Sequence, residues 1–396
     1  MYDVVVIGGG PVGSYTAYRL AGMGYEVVVL EQHKQLGEQV CCTGIISREC
    51  ATTFAVDSSV VLRPVNSAHL FSPSGRLIRL RSEEPQASVI DRTTFNRVMA
   101  SRAQDKGAEY RLDSLATDLE VRDSGVAVKA VCCGERVNLE TRVAVIATGF
   151  GSKFTDRLGW GKVGDFAIGA QAEVETAGVD EVEVYFGKEI APGFFAWLVP
   201  TSPPRALVGL LARYKPELYL KRLLSSLLNQ EKIVSAEVEP IYSGIPLKSL
   251  PRTYGERLIA VGNAAGQVKS TTGGGIYFGL LSAEIAANTL HRGLATDKLS
   301  AQGLADYEQG WRKKLGRELE IDYYARRFYQ RLSDQQIDRI FDIIKLNGID
   351  EALLNAEDLS FDWHSKAVLR LAGHQVLSKA LDIMKIPFRP GGKDSY

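Results

Sequence analysis

Two glycine-rich segments, about 230 residues apart, constrain this chain more than any other feature. Residues 2–31 read YDVVVIGGGPVGSYTAYRLAGMGYEVVVLE, and residues 258–279 read LIAVGNAAGQVKSTTGGGIYFG. Each begins with a short apolar run that suits a strand buried on both faces of a parallel sheet. A glycine-rich turn and a helical pattern follow in both. The pair indicates one extended ligand that is held at both ends.

The first segment contains a G-x-G-x-x-G pattern. Its first glycine permits a tight turn, the second lets a pyrophosphate approach the backbone, and the third lets the helix pack against the strand. Proline suits the first helical turn because its missing N–H would be unpaired there, and the remaining free N–H groups favour an anion. We therefore expect a dinucleotide to bind at five residues, namely Gly8, Gly10, Pro11, Val12 and Gly13.

Glu31 stands at the end of the second strand, Val27–Leu30, and follows Gly13 by 18 residues. A carboxylate at this place accepts hydrogen bonds from the ribose hydroxyls. It would also repel a 2′-phosphate. Strand, turn, helix, strand and acidic residue thus come in the order that a dinucleotide site requires, and the bound adenosine is predicted not to be that of NADP.

The second segment ends its strand pattern at Gly262-Asn263-Ala264-Ala265-Gly266. Small residues there let the backbone and the Asn263 amide come close to a polar chain such as ribityl diphosphate. Gly273, Gly274 and Gly275 then precede a helix predicted from Ile276 to about His291. The N–H groups at its start would face the electron-rich end of an isoalloxazine ring. The two segments together predict FAD.

The composition of the chain argues against several classes of protein. With 47 basic and 47 acidic residues in 396, the formal net charge is zero, which gives no electrostatic case for nucleic acid. No apolar stretch approaches the ~20 residues of a membrane span, and the N-terminus begins inside a predicted strand, so we expect no signal peptide. The five cysteines include two adjacent pairs that cannot readily form a disulfide framework, and the five histidines are scattered. We expect a cytoplasmic protein without a metal site.

The remaining patterns predict an α/β chain assembled from separated pieces. A hairpin is expected at Ala68–Ser72 and Leu77–Arg81, and longer alternating strands follow from about Phe166 to Leu211. Beyond Gly303 the pattern is helical. The predicted domains are a discontinuous FAD-binding domain (1–65, 88–165 and 250–300), an inserted antiparallel-sheet substrate domain (66–87 and 166–249) and a helical C-terminal region (301–396). Helices are expected over Leu304–Leu332, Asp334–Lys345 and about His364–Lys385.

The order of these motifs, with Ala147-Thr148-Gly149 between the two glycine segments, resembles the glutathione-reductase-type flavoproteins that carry a hydroxylase-like substrate sheet. Three local stretches further resemble the geranylgeranyl reductase family, namely CCTGIIS at 41–47, FAWLVP at 195–200 and GQVKSTTGGG at 266–275. Asn263 stands where that family carries aspartate, and an amide can still bond ribityl hydroxyls. The resemblance implies an FAD enzyme that saturates isoprenoid double bonds, with Cys42, Gly44, Ala147 and Gly149 also at the cofactor.

Reduction of an isolated alkene needs a hydride from flavin N5 and a proton from elsewhere. Cys41 or Cys42 could supply the proton because a thiol near its usual pKa of about 8.5 is mostly protonated at neutral pH. The alternative is a buried cysteine acting as a small hydrophobe. An apolar tunnel must align the substrate, and its predicted wall consists of four residues of one strand region, Phe194, Phe195, Trp197 and Pro200. The alternative is ordinary sheet core.

The roles of Arg97 and of the stretch Lys366–Lys385 each have two interpretations. Arg97 lies on a helix that Asp91 caps, and in related flavoproteins an arginine of this helix approaches the FAD diphosphate. The usual alternative is a solvated charge. The amphipathic stretch Lys366–Lys385 could pack on the protein, which we favour, or rest on a membrane surface, which would place the enzyme peripherally on the cytoplasmic face.

Three functions stay open. The first is an FAD-dependent reductase of a geranylgeranyl or polyprenyl chain carried by a membrane lipid, a quinone or a diphosphate. The second is a flavin monooxygenase or halogenase, although Phe195 stands where a halogenase would show the first Trp of Trp-x-Trp-x-Ile-Pro. The third is a non-catalytic flavin- or isoprenoid-binding protein. No second dinucleotide pattern is present, so the electron donor is expected to be a docking NAD(P)H or a ferredoxin-like protein.

Overall fold

The computed structural model describes residues 1–38, 40–348 and 361–363. The strands are, in chain order, β1 Tyr2–Ile7, β2 Val27–Leu30, β3 Ile45–Ser47, β4 Val61–Val65, β5 Ser67–Phe71, β6 Leu77–Arg81, β7 Ala87–Ile90, β8 Glu109–Arg111, β9 Ser114–Arg122, β10 Gly125–Cys132, β11 Glu135–Ile146, β12 Phe166–Glu175, β13 Val182–Phe186, β14 Phe195–Pro200, β15 Arg205–Ala212, β16 Ile241–Pro246, β17 Tyr254–Gly255 and β18 Leu258–Ala260. The helices are α1 Pro11–Gly22, α2 Arg48–Thr53, α3 Arg92–Gln104, α4 Phe154–Arg157, α5 Pro216–Asn229, α6 Ile276–Thr296, α7 Ala301–Trp311, α8 Arg317–Arg331 and α9 Asp334–Leu346.

The first sheet contains the parallel core that the two glycine segments predict. Its main path runs β17-β18-β11-β1-β2-β8, and β1 pairs in parallel with β11 and β2. Val4–Ile7 is buried on both faces, which explains why every position of this strand is apolar. Helices α1 and α6 contribute Leu20 and Leu290, among others, to the core on one face. Both glycine segments therefore enter their helices at the same edge of the sheet.

Strand β11 runs unbroken, whereas the sequence predicts two strands, Arg136–Leu139 and Arg142–Ile146. Its first half pairs antiparallel with β10 and its second half pairs in parallel with β1. Thr141 lies at the junction and takes part in both pairings. The polar residues at the junction suggest a break, but Arg142 is ion-paired with carboxylates at the sheet edge, so the chain can stay in the strand.

The second sheet has seven strands in the order β16-β12-β15-β14-β13-β5-β6. It is antiparallel as predicted except at one place, since β5 pairs in parallel with β13. These two strands come from distant parts of the chain, so no hairpin imposes an antiparallel arrangement on them. One face packs against α5, and the other face contributes Trp197 and Leu211 to a separate apolar cluster.

A third sheet, β3-β7-β4, lies beside the segment that contains Cys41 and Cys42. Its strands all belong to residues 45–90, and those of the seven-stranded sheet to 67–81 and 166–246. The fold class is thus confirmed, as a mixed α/β chain with a dinucleotide-binding sheet, an inserted sheet and helices toward the C-terminus. The predicted division into domains stays a prediction.

The later helices depart in detail from the sequence pattern. Helix α6 reaches Thr296, and the helix predicted over Leu304–Leu332 begins at Ala301 and contains a π-helical turn at Arg312–Gly316. Helix α9 begins as predicted, with Ser333 and Gln336 forming a capping box. The amphipathic helix predicted over about His364–Lys385 lies outside the described residues.

Candidate active site

The first of the two cavities that the predicted site residues line opens beside the G-x-G-x-x-G turn. It has a volume of about 570 Å³, within the range of small-molecule sites. Its wall includes Gly8, Gly10, Glu31, Ala147 and Gly149. A Cβ added at Gly10 or Gly149 would meet no protein atom within 4 Å. The backbone is therefore bare toward the cavity at these two positions, as close approach of a ligand requires.

At Gly8 and Gly13 a side chain is excluded for a different reason, namely contact with the backbone. A Cβ at Gly13 would lie 2.0 Å from the Gly8 carbonyl oxygen, and one at Gly8 would lie 2.4 Å from the Ala147 carbonyl oxygen. Here the strand, the turn and α1 pack directly on one another. Pro11 occupies the first turn of α1, and Val12 packs against Gly262. These residues shape the turn, and their free N–H groups and the helix dipole make it suitable for a diphosphate.

Glu31 is held in place by three hydrogen bonds. Its Oε2 accepts from the Gly9 N–H at 2.7 Å, and its Oε1 accepts from the His33 N–H at 3.0 Å. The His33 Nδ1 lies 2.7 Å from the same Oε1. Glu31 is 8% exposed and lines the cavity, and its Oε2, which accepts only one of these bonds, keeps a lone pair for a ribose hydroxyl. This donor and acceptor set fits adenosine with a free 2′-hydroxyl.

The second cavity lies between the glycine turn before α6 and the seven-stranded sheet. Its volume is about 300 Å³, and most of its wall is apolar. Phe195, Trp197, Val199 and Leu211 form the sheet side. On the other side are the turn residues, Gly273, Gly274, Gly275 and Ile276, together with Cys41 and Cys42. An apolar space thus meets a helix N-terminus and two thiols.

Hydrogen bonds fix the turn before α6. The Gly273 N–H donates to the Lys269 carbonyl at 2.8 Å, and the Lys269 N–H donates to the Gly274 carbonyl at 3.1 Å. The Asn263 Oδ1 lies where it would be 2.7 Å from a Cβ on Gly275. Any side chain at Gly275 would therefore displace the Asn263 amide. The free N–H groups at the N-terminus of α6 lie close to Asn263 and to one end of the second cavity.

Cys41 and Cys42 occupy different environments. Burial, with a smaller contribution from the neighbouring Cys42, raises the pKa of Cys41 to about 12. The Cys41 Sγ would lie 3.5 Å from a Cβ on Gly169 in the sheet, so this thiol points at the second cavity wall. The Cys42 Sγ accepts a hydrogen bond from the Gly44 N–H at 3.4 Å. Cys41 is therefore a neutral S–H at physiological pH.

A buried ion pair closes one end of the second cavity. The Lys269 Nζ lies 3.0 Å from the Asp362 Oδ1 and donates to the Phe361 carbonyl at 3.2 Å. The Ser47 hydroxyl donates to the other oxygen of Asp362. The side chains of Lys269 and Asp362 are 4% and 5% exposed. Residues 361–363 thus lie against the glycine turn and α2.

The structure places the predicted site residues in three groups. The first cavity is lined by Gly8, Gly10, Glu31, Ala147 and Gly149. The second is lined by Cys41, Cys42, Gly273, Gly274, Gly275, Ile276, Phe195 and Trp197. Eight others line neither cavity: Pro11, Val12, Gly13, Gly44, Arg97, Gly262, Phe194 and Pro200. The same is true of Asn263, which lies beside the turn before α6.

Several of these eight have a structural reason for their positions. Gly44 has a φ of +71°, and a Cβ there would lie 2.3 Å from the Ile90 carbonyl oxygen. The Gly262 N–H donates to the Gln267 Oε1 at 2.7 Å. Arg97 is exposed, and Asn96 is the residue of α3 that reaches the first cavity. The prediction that Arg97 approaches the cofactor therefore has no support in its placement.

Phe194 and Pro200 do not belong to the cavity wall for a simple geometric reason. Successive residues of a strand face opposite sides of a sheet, so Phe195, Trp197 and Val199, at every second position, share one face. Pro200 belongs to the opposite set. Phe194 precedes β14 and is buried. The period-two rule would have predicted Val199 in the wall and excluded Pro200.

Sequence reasoning did not find Lys269, Asp362, Ser47 and Cys50, although all four line the second cavity. Lys269 stands inside the quoted GQVKSTTGGG stretch, but its partner follows it by 93 residues. Ser47 carries a local signal, because it is the N-cap of α2. Burial raises the pKa of the Cys50 thiol, which is consequently uncharged.

The two cavities, on a dinucleotide-binding sheet with an inserted second sheet, define the class of FAD-dependent oxidoreductases. A family model described as Lycopene cyclase protein matches residues 3–346. A digeranylgeranylglycerophospholipid reductase of Methanocaldococcus jannaschii is 30% identical over 363 residues, which cover 88% of this chain and 93% of the relative.

Two solved structures resemble this chain in fold. A geranylgeranyl bacteriochlorophyll reductase-like protein of Thermoplasma acidophilum superposes with a TM-score of 0.84 at 23% identity, covering 97% of this chain and 98% of that one. A halogenase solved in complex with FAD has a TM-score of 0.67 at 14% identity, covering 97% and 95%. These two likenesses show the shared fold. The chain belongs to the family of the matching model and, through its curated relatives, to the geranylgeranyl reductase family, as its motifs predicted.

In the part of the chain that the structure describes, no helix is long and apolar enough to cross a membrane. In the same residues, no group of three or more His, Cys, Asp or Glu side chains could hold a metal ion.

Proposed function

We propose that this protein binds FAD and reduces carbon–carbon double bonds of an isoprenoid chain carried by a lipid or a similar headgroup. The observation that carries the proposal is the second cavity, where an apolar wall faces both a helix N-terminus and a protonated thiol. The reductase of Methanocaldococcus jannaschii supports it, since its name specifies a digeranylgeranyl glycerophospholipid.

The residues of the two cavities fit the two halves of FAD. The first cavity would hold the adenosine, with Glu31 at the ribose and the backbone at Gly10 and Gly149 open to the ligand. The turn at Gly8–Gly13 and Asn263 would hold the polar middle. The N-terminus of α6 and the turn before it would hold the ring. When bound, FAD in its reduced form supplies the hydride.

The protein's own contribution is alignment and a proton. Phe195, Trp197 and Val199 would orient the alkene, because a hydrocarbon offers no polar group to hold. The Cys41 S–H would deliver a proton to one alkene carbon while a hydride reaches the other, so that C=C becomes CH–CH. The high pKa of Cys41 favours the return of a proton to its thiolate after the transfer. Cys42 is the alternative donor.

Electron supply and membrane contact belong to the same proposal. The electron donor would be NAD(P)H or a ferredoxin-like protein that docks transiently. An isoprenoid lipid substrate would bring the enzyme to the cytoplasmic face of the membrane as a peripheral protein.

The test is an anaerobic assay of the dithionite-reduced protein with a geranylgeranyl lipid. We expect the product to gain two mass units for each bond reduced. A halogenase or a monooxygenase of the same fold would show no such gain and would instead modify its substrate only with oxygen present. A protein that binds FAD and the lipid without any gain would be a binding protein, and that result would contradict the proposed reaction.

A further inference from the structure

A group of cationic side chains gathers around the ring of Tyr323 on α8. The Lys248 Nζ lies 5.7 Å from the ring centroid, and the guanidinium carbons of Arg326 and Arg327 lie 5.4 Å and 5.8 Å from it. Lys248 is exposed and Arg327 is half-buried. Three positive charges from two separate elements thus share one aromatic ring.

Asp165 joins a fourth cation to this group. Its Oδ1 lies 2.5 Å from a terminal nitrogen of Arg213, and its Oδ2 accepts from Arg326 at 3.1 Å and from the Tyr323 hydroxyl at 3.0 Å. We call Arg213, Lys248, Arg326 and Arg327 the basic cluster. Arg326 is 3% exposed, and burial lowers its pKa.

Among the described residues, the carboxylates that form ion pairs with the basic cluster are fewer than its four positive charges. Asp165 is the one carboxylate that forms ion pairs with the cluster among the described residues, and in that part of the chain neither Lys248 nor Arg327 has a carboxylate within 4.0 Å. Two other carboxyl groups of α8 are buried, those of Glu318 and Asp322, and Asp322 interacts with Glu318 and with Lys269. The Nε atoms of Arg213 and Arg326 also lack a hydrogen-bond partner in the described residues.

The basic cluster adjoins the second cavity. Leu211 lines that cavity, and Arg213 follows it by two residues, directly after the end of β15 at Ala212. The Arg326 guanidinium lies 5.6 Å from the ring centroid of Phe194, the neighbour of the wall residue Phe195. At most about 7 Å therefore separates the Cα atom of the wall residue Leu211 from that of Arg213.

We propose that the basic cluster binds the phosphate or diphosphate headgroup of the substrate whose isoprenoid chain enters the second cavity. The inference rests on the proposed function. An anion that accepts several charge-assisted hydrogen bonds would relieve the repulsion among four like charges. A phosphate could not follow the chain into the apolar cavity because the loss of its hydration would go uncompensated there. The site thus specifies a substrate with an apolar chain and an anionic end.

The test neutralises the two outer cations, which are not buried in the fold. In Lys248→Gln/Arg327→Gln, we expect KM to rise about tenfold for geranylgeranyl diphosphate and for a geranylgeranylglycerol phosphate. For uncharged geranylgeraniol, KM should stay within about twofold, and kcat should not change. Lys221→Gln/Arg339→Gln removes the same charge from exposed positions elsewhere and should leave all three KM values unchanged.

The two phosphate-bearing compounds distinguish the sources of the anion. An equal rise for both assigns the site to phosphate itself, and a rise for one alone assigns it to that headgroup. The proposal is overturned if KM rises equally for geranylgeraniol or does not rise for either phosphate compound. If the wild type reduces none of the three, the proposed function fails, and calorimetric binding of inorganic diphosphate then tests the cluster. Equal affinity in wild type and variant would refute the site.

Discussion

Lys269 and Asp362 form an ion pair with an Nζ–Oδ1 distance of 3.0 Å in the wall of a largely apolar cavity. Two charges at 4% and 5% side-chain exposure have lost nearly all their hydration. Such a pair is retained by its geometry and by further hydrogen bonds, here from Ser47 to Asp362 and from Lys269 to the Phe361 carbonyl. It fixes residues 361–363 against the turn before α6.

Replacement of one partner of the Lys269–Asp362 pair should lower the free energy of unfolding far more than replacement of both partners. Lys269→Met leaves a buried carboxylate without its cation, and we expect the free energy of unfolding to fall by about 3–5 kcal/mol. Lys269→Met/Asp362→Leu should recover much of that loss. Urea unfolding of the full chain measures both. As a control, Arg205→Met breaks an exposed pair with Glu173 and should cost less than about 1 kcal/mol. A double variant as unstable as the sum of its single variants would contradict this prediction.

Replacement of Gly10 by alanine should weaken FAD binding, whereas replacement of Gly13 by alanine should lower the stability of the apoprotein. The Gly10→Ala methyl group would enter open cavity space, so the apoprotein should keep its melting temperature while its Kd for FAD rises. The Gly13→Ala methyl group would collide with the Gly8 carbonyl, so the apoprotein itself should be destabilised. Thermal melts without FAD and titration with FAD separate the two effects. Equal melting temperatures for both apo variants would disagree with the packing described above.

Asp322 should make stability depend on pH. Burial, aided by Glu318, raises its pKa from 3.8 to about 7, so the folded state binds this proton more tightly than the unfolded state does. Its contribution is complete below about pH 4 and is lost as pH rises through 7, an effect of at most roughly 4 kcal/mol. Asp322→Asn should therefore gain stability relative to wild type between pH 5 and pH 8. Unfolding curves that stay parallel across this range would show that Asp322 does not titrate there.

Cys41 should be needed for turnover but not for cofactor binding. Cys41→Ala removes the proposed proton donor, and we expect kcat for alkene reduction to fall by 10²-fold or more. FAD content and the visible flavin spectrum should not change. Cys133→Ala alters an exposed thiol that lines neither cavity and serves as the control. A loss confined to Cys42→Ala would move the role to Cys42, and full activity in both variants would eliminate a thiol donor.

Phe194 and Phe195 should differ although they are neighbours. Phe195→Ala enlarges the second cavity and should change which chain lengths are reduced best. Phe194→Ala removes a ring that is 2% exposed and should lower stability by about 3–5 kcal/mol with the chain-length preference unaltered. Competition assays with prenyl chains of different length, read by mass, measure the preference. The same shift in both variants would mean that the cavity wall is wrongly assigned.

The glycine turns and the parallel core could be predicted because their signals are local. Strand, turn and helix follow one another within about 30 residues, and each glycine has a steric reason that the pattern itself expresses. The antiparallel hairpins and the capped start of α3 at Asp91 are local in the same sense. For these elements neighbouring residues are enough to determine the structure.

Contacts between distant residues could not be predicted in this way. No property of Lys269 alone indicates Asp362, and nothing in β5 indicates that it will lie parallel to β13. Arg97 is a charge on the expected helix, but neighbouring residues do not indicate whether its side chain faces solvent, as it does here, or a cavity. Phe194 and Pro200 are apolar residues of the expected strand region, but the strand period separates them from the wall residues Phe195 and Trp197.

The position of β18 within the first sheet also governs how the chain can fold during synthesis. Strand β11 needs β18 beside it, yet β18 is formed by residues 258–260, and five of the seven strands of the second sheet, β12 to β16, are translated between the two. The emerging chain therefore carries an incomplete edge on its parallel core until more than 100 further residues have left the ribosome. Release of a truncated chain that ends before β18 should leave the apolar edge of β11 unpaired, which makes such fragments clients of chaperones and prone to aggregation.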